Sequence, residues 1–149
     1  MTWYPHATVA VIVEKDNRFL IVEEHADGQQ VLNQPAGHIE CGETFSEAAV
    51  RETLEETGWQ VQPEALVGLY VYTSPGNGVT YHRACFVATP QIYHPERPLD
   101  DGIIAAHWLS REEIIAQSTR LRSPMVLRCV DDYLQGRRFP LDLIYEYTA

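Results

Sequence analysis

Three glutamates in one short stretch, Glu52, Glu55 and Glu56, have the residue type and spacing that chemistry uses. On a helix, positions three and four apart are neighbours, so the three carboxylates converge on one stripe. Two carboxylates about 5 Å apart repel by roughly 3 kcal/mol at an effective dielectric of about 20. Salt screens most of this on a solvated face, whereas in a cleft it calls for a counter-charge. Carboxylate oxygens are hard ligands that suit Mg²⁺, which takes few carboxylates and keeps waters and substrate phosphates. A bare E-x-x-E-E face is more often plain solvated surface, so the surrounding residues decide between the two readings.

The first requirement is the helix itself. Thr44 and Glu47 have capping-box spacing, which starts a helix at Thr44. It runs to about Thr57, and Gly58 stands where a left-handed C-cap belongs. Phe45, Ala48, Ala49 and Leu54 give it apolar surface away from the glutamates. Around it, Thr8 to Val13 is β-branched enough for a buried strand, and Arg18 to Glu23 continues as a hairpin. Val31 to Gln34 is a short strand ended by Pro35, and Gly37 to Glu43 is a glycine-bearing loop. Val67 to Thr73 and Val79 to Ala88 are strands joined by the turn Pro75-Gly76-Asn77-Gly78. A proline-bearing loop runs from Gln91 to Gly102, and Ala105 to Leu109 is another strand. Ser110 caps a helix to about Gln117, and Pro124 opens a last helix ending near Gly136. The apolar tail from Phe139 to Tyr147 is expected to pack back. Strands outnumber helices and the helices lie among them, which gives an α/β (α+β) layered fold. With no repeat or linker, residues 1–149 read as one domain.

The chain has 149 residues and a formal net charge of -10. Such an acidic chain has no bulk attraction for nucleic acid or an anionic membrane. A phosphate-bearing ligand therefore needs a local reversal of sign, for which a divalent cation is the natural agent. Cys41, Cys85 and Cys129 have no C-x-x-C spacing, so reduced thiols are expected rather than a disulfide framework or a zinc site. The first residues lack the basic start and apolar stretch of a signal peptide, and no segment approaches a membrane span. The expectation is a cytoplasmic protein, monomer or homodimer, with a small-molecule ligand.

The stretch from Gly37 to Gly58 resembles the Nudix box, G-x5-E-x7-R-E-U-x-E-E-x-G-U with U apolar. Gly37, Glu43, Arg51, Glu52, Glu55, Glu56 and Gly58 fall in place, and Trp59 fills the last apolar position. Thr53 departs from the pattern, which asks for an aliphatic residue there. The resemblance implies a Nudix fold, a mixed sheet sandwiched between helices, carrying a loop–helix–loop platform for Mg²⁺, with Mn²⁺ able to substitute. It makes Glu52, Glu55 and Glu56 the carboxylate ligands, joined by the Gly37 carbonyl, with Glu43 and Arg51 a structural pair. Asn33 to Glu40, Leu121 to Val126 and Gly136 to Leu141 look like the NudJ phosphatase subgroup. That subgroup is associated with phosphate release from hydroxymethylpyrimidine pyrophosphate, thiamine pyrophosphate and some nucleoside di- and triphosphates. Alternatives are a pyrophosphatase of ADP-ribose or other nucleoside diphosphate sugars, or a non-catalytic nucleotide sensor. The intact glutamate set weighs against the sensor.

Hydrolysis of a phosphoanhydride also needs a general base, for which the candidates are Glu52, Glu55, Glu56 or an acid on the loop Leu99 to Gly102. By analogy with related families, Asp101 is the choice on that loop, although a plain acidic turn is as good a reading. Arg83, Arg120 and Arg122 are candidates to hold a distal phosphate, Arg122 favoured by its segment. Any single arginine is more often at the surface. Tyr70, Tyr72, Tyr81 and Phe86 alternate on paired strands and are candidates to stack on a substrate ring, Tyr72 foremost. At least half of them are better explained as core. His38, in the box loop, is more simply a solvated histidine.

Overall fold

The computed structural model describes residues 2–147. The chain forms β1 (His6–Lys15), β2 (Arg18–Ala26), β3 (Gln29–Asn33), β4 (Ala36–His38), α1 (Phe45–Thr57), β5 (Trp59–Thr73), β6 (Thr80–Tyr93), β7 (Ile103–Leu109), α2 (Arg111–Ala116) and α3 (Met125–Leu134). Short 3₁₀ turns at Ser118–Arg120 and Leu141–Leu143 flank α3. The mixed sheet has the order β3-β2-β1-β6-β5, with β4 added to β1 and β7 to β2. β1 and β6 run parallel, and the other pairings are antiparallel.

β1 explains the layering. Residues from Thr8 to Val13 are all buried, as befits a strand covered on both faces. Val9, Val11 and Val13 join Ala48 and Ala49 of α1, and Trp59 and Trp108 pack at the rim of that cluster. Ala10 and Ile12 join Ile114 of α2 and Cys129 and Val130 of α3 on the opposite face. The sheet is thus sandwiched between α1 and the α2–α3 pair. Among the described helices none is long and apolar enough to cross a membrane.

Several strands outrun their sequence expectation. β5 begins at Trp59 rather than Val67, and β6 continues to Tyr93. The added lengths contain Pro63 and Pro90, which lack the N–H that a ladder uses. Register shifts at Gln60/Val61, Pro63/Ala65 and Leu66/Gly68 absorb the missing donors. β4, expected as loop, pairs with β1 through Thr8–His38, Val9–Gly37 and Ala10–Ala36. The tail does return to the body. Phe139 bridges Leu66, and Leu141 and Ile144 pack on the α1-side core, while Tyr145 and Tyr147 stay exposed.

Candidate active site

The glutamate helix is fixed at both ends. The Thr44 side chain accepts from the Glu47 amide and the Glu47 carboxylate accepts from the Thr44 amide, completing the capping box. Gly58 adopts φ 79° and donates its N–H to the Leu54 carbonyl at 2.9 Å. Thr53 is fully buried, and its hydroxyl donates to the Ala49 carbonyl at 2.8 Å. The departure from an aliphatic residue therefore leaves no polar group unsatisfied.

With the helix so placed, its glutamates meet the edge strand β4. The Ala36 N–H donates to Glu56 Oε1 at 3.0 Å. At Gly37 the Glu52 carboxylate lies so close that an added Cβ would stand 2.2 Å from its carboxyl carbon. A side chain at position 37 would force the Glu52 carboxylate to move. Arg51 ties the loop to the helix. Its Nε and Nη2 donate to Glu43 at 2.6 and 2.9 Å, a bidentate pair, and Nη2 also donates to the His38 carbonyl at 3.1 Å. Its Nη1 spans Glu52 at 2.8 Å and Glu55 at 3.1 Å.

The carboxylates differ in charge balance. The Arg51 guanidinium holds the Glu43 carboxyl below the usual range. Burial pushes Glu52 up, and Arg51 only partly offsets this. Glu56 is 8% exposed. Burial pushes its pKa up to about 9, with repulsion from Glu24, Glu52 and Asp100 adding to the rise. An acid end with too little positive charge is the result.

Glu52 and Glu56 line a cleft of about 710 Å³ on the α3 face of the sheet, together with Glu24, Arg83, Arg122, Tyr72 and Tyr81. The two arginines differ. Arg83 is 8% exposed at the cleft floor. Arg122, on the loop before α3, is ion-paired with Glu24 at 2.5 Å. Arg120 is bound to Glu23 and Gln117 and is not among the cleft-lining residues. Of the aromatic candidates only Tyr72 and Tyr81 reach the cleft. Tyr70 instead donates its hydroxyl to Asp132 at 2.7 Å, and Phe86 is 1% exposed in the core. Asp101 also falls elsewhere. It lines a separate shallow hollow with Arg97, Pro98, Leu99 and Asp100. Asp100, whose N–H donates to the Glu55 carbonyl at 3.0 Å, is the loop acid whose charge reaches Glu52 and Glu56. The reason is the docking of this loop on the end of α1 through residue 100.

Three features escape the sequence. Glu24 reads as an ordinary strand end, yet it borders the cleft beside Glu56. Asn33 shares that wall, where it accepts from Arg83. His38 lies 2.9 Å from His6, and the two rings gather with Tyr81 at the cleft rim. Nothing in their spacing marks these residues, because the strand pairings that assemble them are long-range.

Whether these residues suit a divalent cation turns on the donor set. Among the described residues no three His, Cys, Asp or Glu side chains are gathered tightly enough to hold an ion. One Arg51 nitrogen lies against both Glu52 and Glu55. The chemistry nevertheless fits. The donors are hard carboxylate oxygens, Gly37 brings main chain against Glu52, and the raised proton affinities of Glu52 and Glu56 mark carboxylates short of positive charge.

Comparison with known proteins agrees with this architecture. A family model described as NUDIX domain matches residues 4–128. Phosphatase NudJ of Escherichia coli strain K12 is 39% identical over 144 residues, covering 97% of this chain and 93% of that protein. The solved structure of a NUDIX hydrolase from Nitrosomonas europaea is 45% identical with a TM-score of 0.95, covering 97% of this chain and 98% of the other. An ADP-ribose pyrophosphatase from Streptococcus suis, 12% identical with a TM-score of 0.68 and coverage of 91% and 96%, shares the fold. With its glutamate helix, its sheet and these relatives in agreement, the chain belongs to the Nudix hydrolase family and is an enzyme of the pyrophosphohydrolase type.

Proposed function

We propose that this hydrolase depends on Mg²⁺, with Mn²⁺ able to replace it, and releases phosphate from small organic di- and triphosphates. The substrates in this reading are hydroxymethylpyrimidine pyrophosphate, thiamine pyrophosphate and nucleoside di- and triphosphates. The likeness to phosphatase NudJ over nearly the whole of both chains supports it. The observation that carries it is a single cleft lined by undercompensated carboxylates and by a buried arginine. A diphosphate bridged to those carboxylates by divalent cations suits both.

In this reading Glu52, Glu55 and Glu56 hold the cation, with the Gly37 carbonyl beside them. When bound, such an ion neutralises phosphate oxygens and lowers the pKa of water. The chain's own residues supply the rest. Arg51 braces the helix against the loop, bridging Glu43 to Glu52 and Glu55. Arg83 and Arg122 bind phosphate oxygens, and Tyr72 packs against the organic group. The general base is one of the helix glutamates or an acid of the Leu99 to Gly102 loop, Asp101 or its neighbour Asp100, whose charge reaches Glu52 and Glu56. The sequence from 1 to 149 acts as one domain in this account. A cytoplasmic location is proposed from the three free thiols.

The test is a phosphate-release screen in excess Mg²⁺ over thiamine pyrophosphate, hydroxymethylpyrimidine pyrophosphate, nucleoside di- and triphosphates, and ADP-ribose with added phosphatase. Turnover of the pyrimidine and thiamine diphosphates is expected. Turnover of ADP-ribose alone would keep the hydrolase and reject this substrate class.

A further inference from the structure

The floor of the cleft holds a cation that the protein itself leaves without a counter-charge. Strand register sets its place. Tyr70, Arg83, Thr8 and His38 are direct partners across β5, β6, β1 and β4. At about 4.8 Å per strand, Arg83 lies roughly 10 Å along the sheet from the strand that meets the glutamates. Its residue exposure is 8%. Among the described residues no carboxylate pairs with it. Its Nη2 donates to Asn33 Oδ1 at 2.8 Å, and Nη1 has the Cys129 sulfur at 4.0 Å. A buried charge in this condition is costly.

Asn33 is oriented by that bond. A guanidinium has only donors, so the Asn33 oxygen must face it and the Asn33 amide nitrogen must face elsewhere. That nitrogen has no hydrogen-bond partner among the described residues, and both side chains line the cleft. The floor is therefore a patch of donors in a cleft whose other end is acidic.

We propose that Asn33 and Arg83 form the seat for the terminal phosphate of the substrate, and that Asn33 selects for it. A terminal phosphate carries close to two charges and three acceptor oxygens, more than the phosphate of a diester. It thus supplies both the missing counter-charge and the acceptors. This assignment rests on the diphosphate reading above. A heterocycle carbonyl would offer acceptors too, without the charge that Arg83 lacks.

The decisive variant is Asn33→Asp. It keeps an oxygen for Arg83 and adds the absent carboxylate, so the melting temperature should stay level or rise. Against phosphate it puts a negative acceptor where a donor stood. We expect wild-type protein in excess Mg²⁺ to bind inorganic phosphate by titration calorimetry, and Asn33→Asp to weaken that binding at least tenfold. KM for nucleoside diphosphates should rise by a similar factor, while KM for ADP-ribose, whose phosphates are capped, changes less than about threefold. Phosphate affinity unchanged in the variant, or an equal rise for capped and uncapped substrates, overturns the seat. So does altered choice among heterocycles at constant phosphate affinity, which would assign the donors to a ring carbonyl. Should Asn33→Asp fail to fold, the same titration on Asn33→Ser decides. Absence of any turnover would reject the proposed function alone, because the phosphate titration does not depend on it.

Discussion

Two buried acids stand on opposite sides of the same chemistry. Glu56 on α1 is 8% exposed and Asp132 on α3 is 3% exposed. Their charge states diverge. Glu56 has one main-chain N–H and otherwise meets other acids, and burial pushes it up to about 9. Burial also pushes Asp132 up, but the Tyr70 hydroxyl, Arg128 and Arg137 outweigh it and hold the carboxyl below its usual range. Asp132 is complete without anything from outside. Glu56 is not, and it borders the cleft. Burial alone thus fails to mark a functional acid, and the balance of partners does mark it.

The sharpest way to break this contrast is to remove each acid in turn. Glu56→Gln should lower kcat by about 10²-fold or more, since a ligand-class carboxylate is lost. Its metal-free fold should be no less stable at pH 8, because the amide mimics the protonated acid that burial favours. Near-normal turnover would remove Glu56 from the site. Asp132→Ala should do the converse. It leaves the Tyr70 hydroxyl without its partner and should cost about 1–3 kcal/mol in urea denaturation, with kcat within about twofold of wild type. A kcat loss exceeding the loss of folded protein would dissolve the distinction.

The pH dependence sharpens the same comparison. In metal-free protein, Glu56 binds its proton more tightly when folded, so its contribution is fully present below its ordinary pKa of 4.5 and is lost as pH climbs through about 9. Asp132 has the opposite sign. Its contribution is present above its ordinary pKa of 3.8 and is lost as pH falls through the lower folded value. Melting in chelator from about pH 3 to about pH 9 should show both limbs, and Glu56→Gln should flatten only the alkaline one. An unchanged alkaline limb would contradict the account of Glu56.

The smallest effects should come from two tyrosines on one strand face. Tyr70→Phe removes the Asp132 bond and should lower stability by about 1 kcal/mol with unchanged KM. Tyr72→Leu should leave stability nearly level and raise KM by about threefold to tenfold through lost ring packing. Exchange of these outcomes would mean that the strand presents its other tyrosine to the substrate.

Much of the acid end was legible before any fold was known. The capping box at Thr44, the left-handed Gly58 and the stripe of Glu52, Glu55 and Glu56 all lie within a few helical turns. There, local propensity and 3.6-residue periodicity act directly. The donor end was not legible in the same way. Arg83 could not be separated from Arg120 by type, nor Tyr72 from Tyr70. The strand extensions through Pro63 and Pro90 ran against local propensity and depended on bulges and on partners elsewhere in the sheet. Asp100 and Asp101 differ only in which one a docked loop turns toward α1.

The sequence by itself determined the helix, its caps and the convergence of its carboxylates. Each of these follows from neighbours in the chain, whose geometry is set by bonds and short hydrogen-bonded rings. The tertiary structure decided which arginine lies buried without a counter-charge, which tyrosines face the cleft and which acids are satisfied. Those properties depend on solvent exclusion and on the register of β1 against β6 and β4, between residues as far apart as Thr8 and Arg83. No local pattern encodes them, because desolvation exists only once the layers have closed.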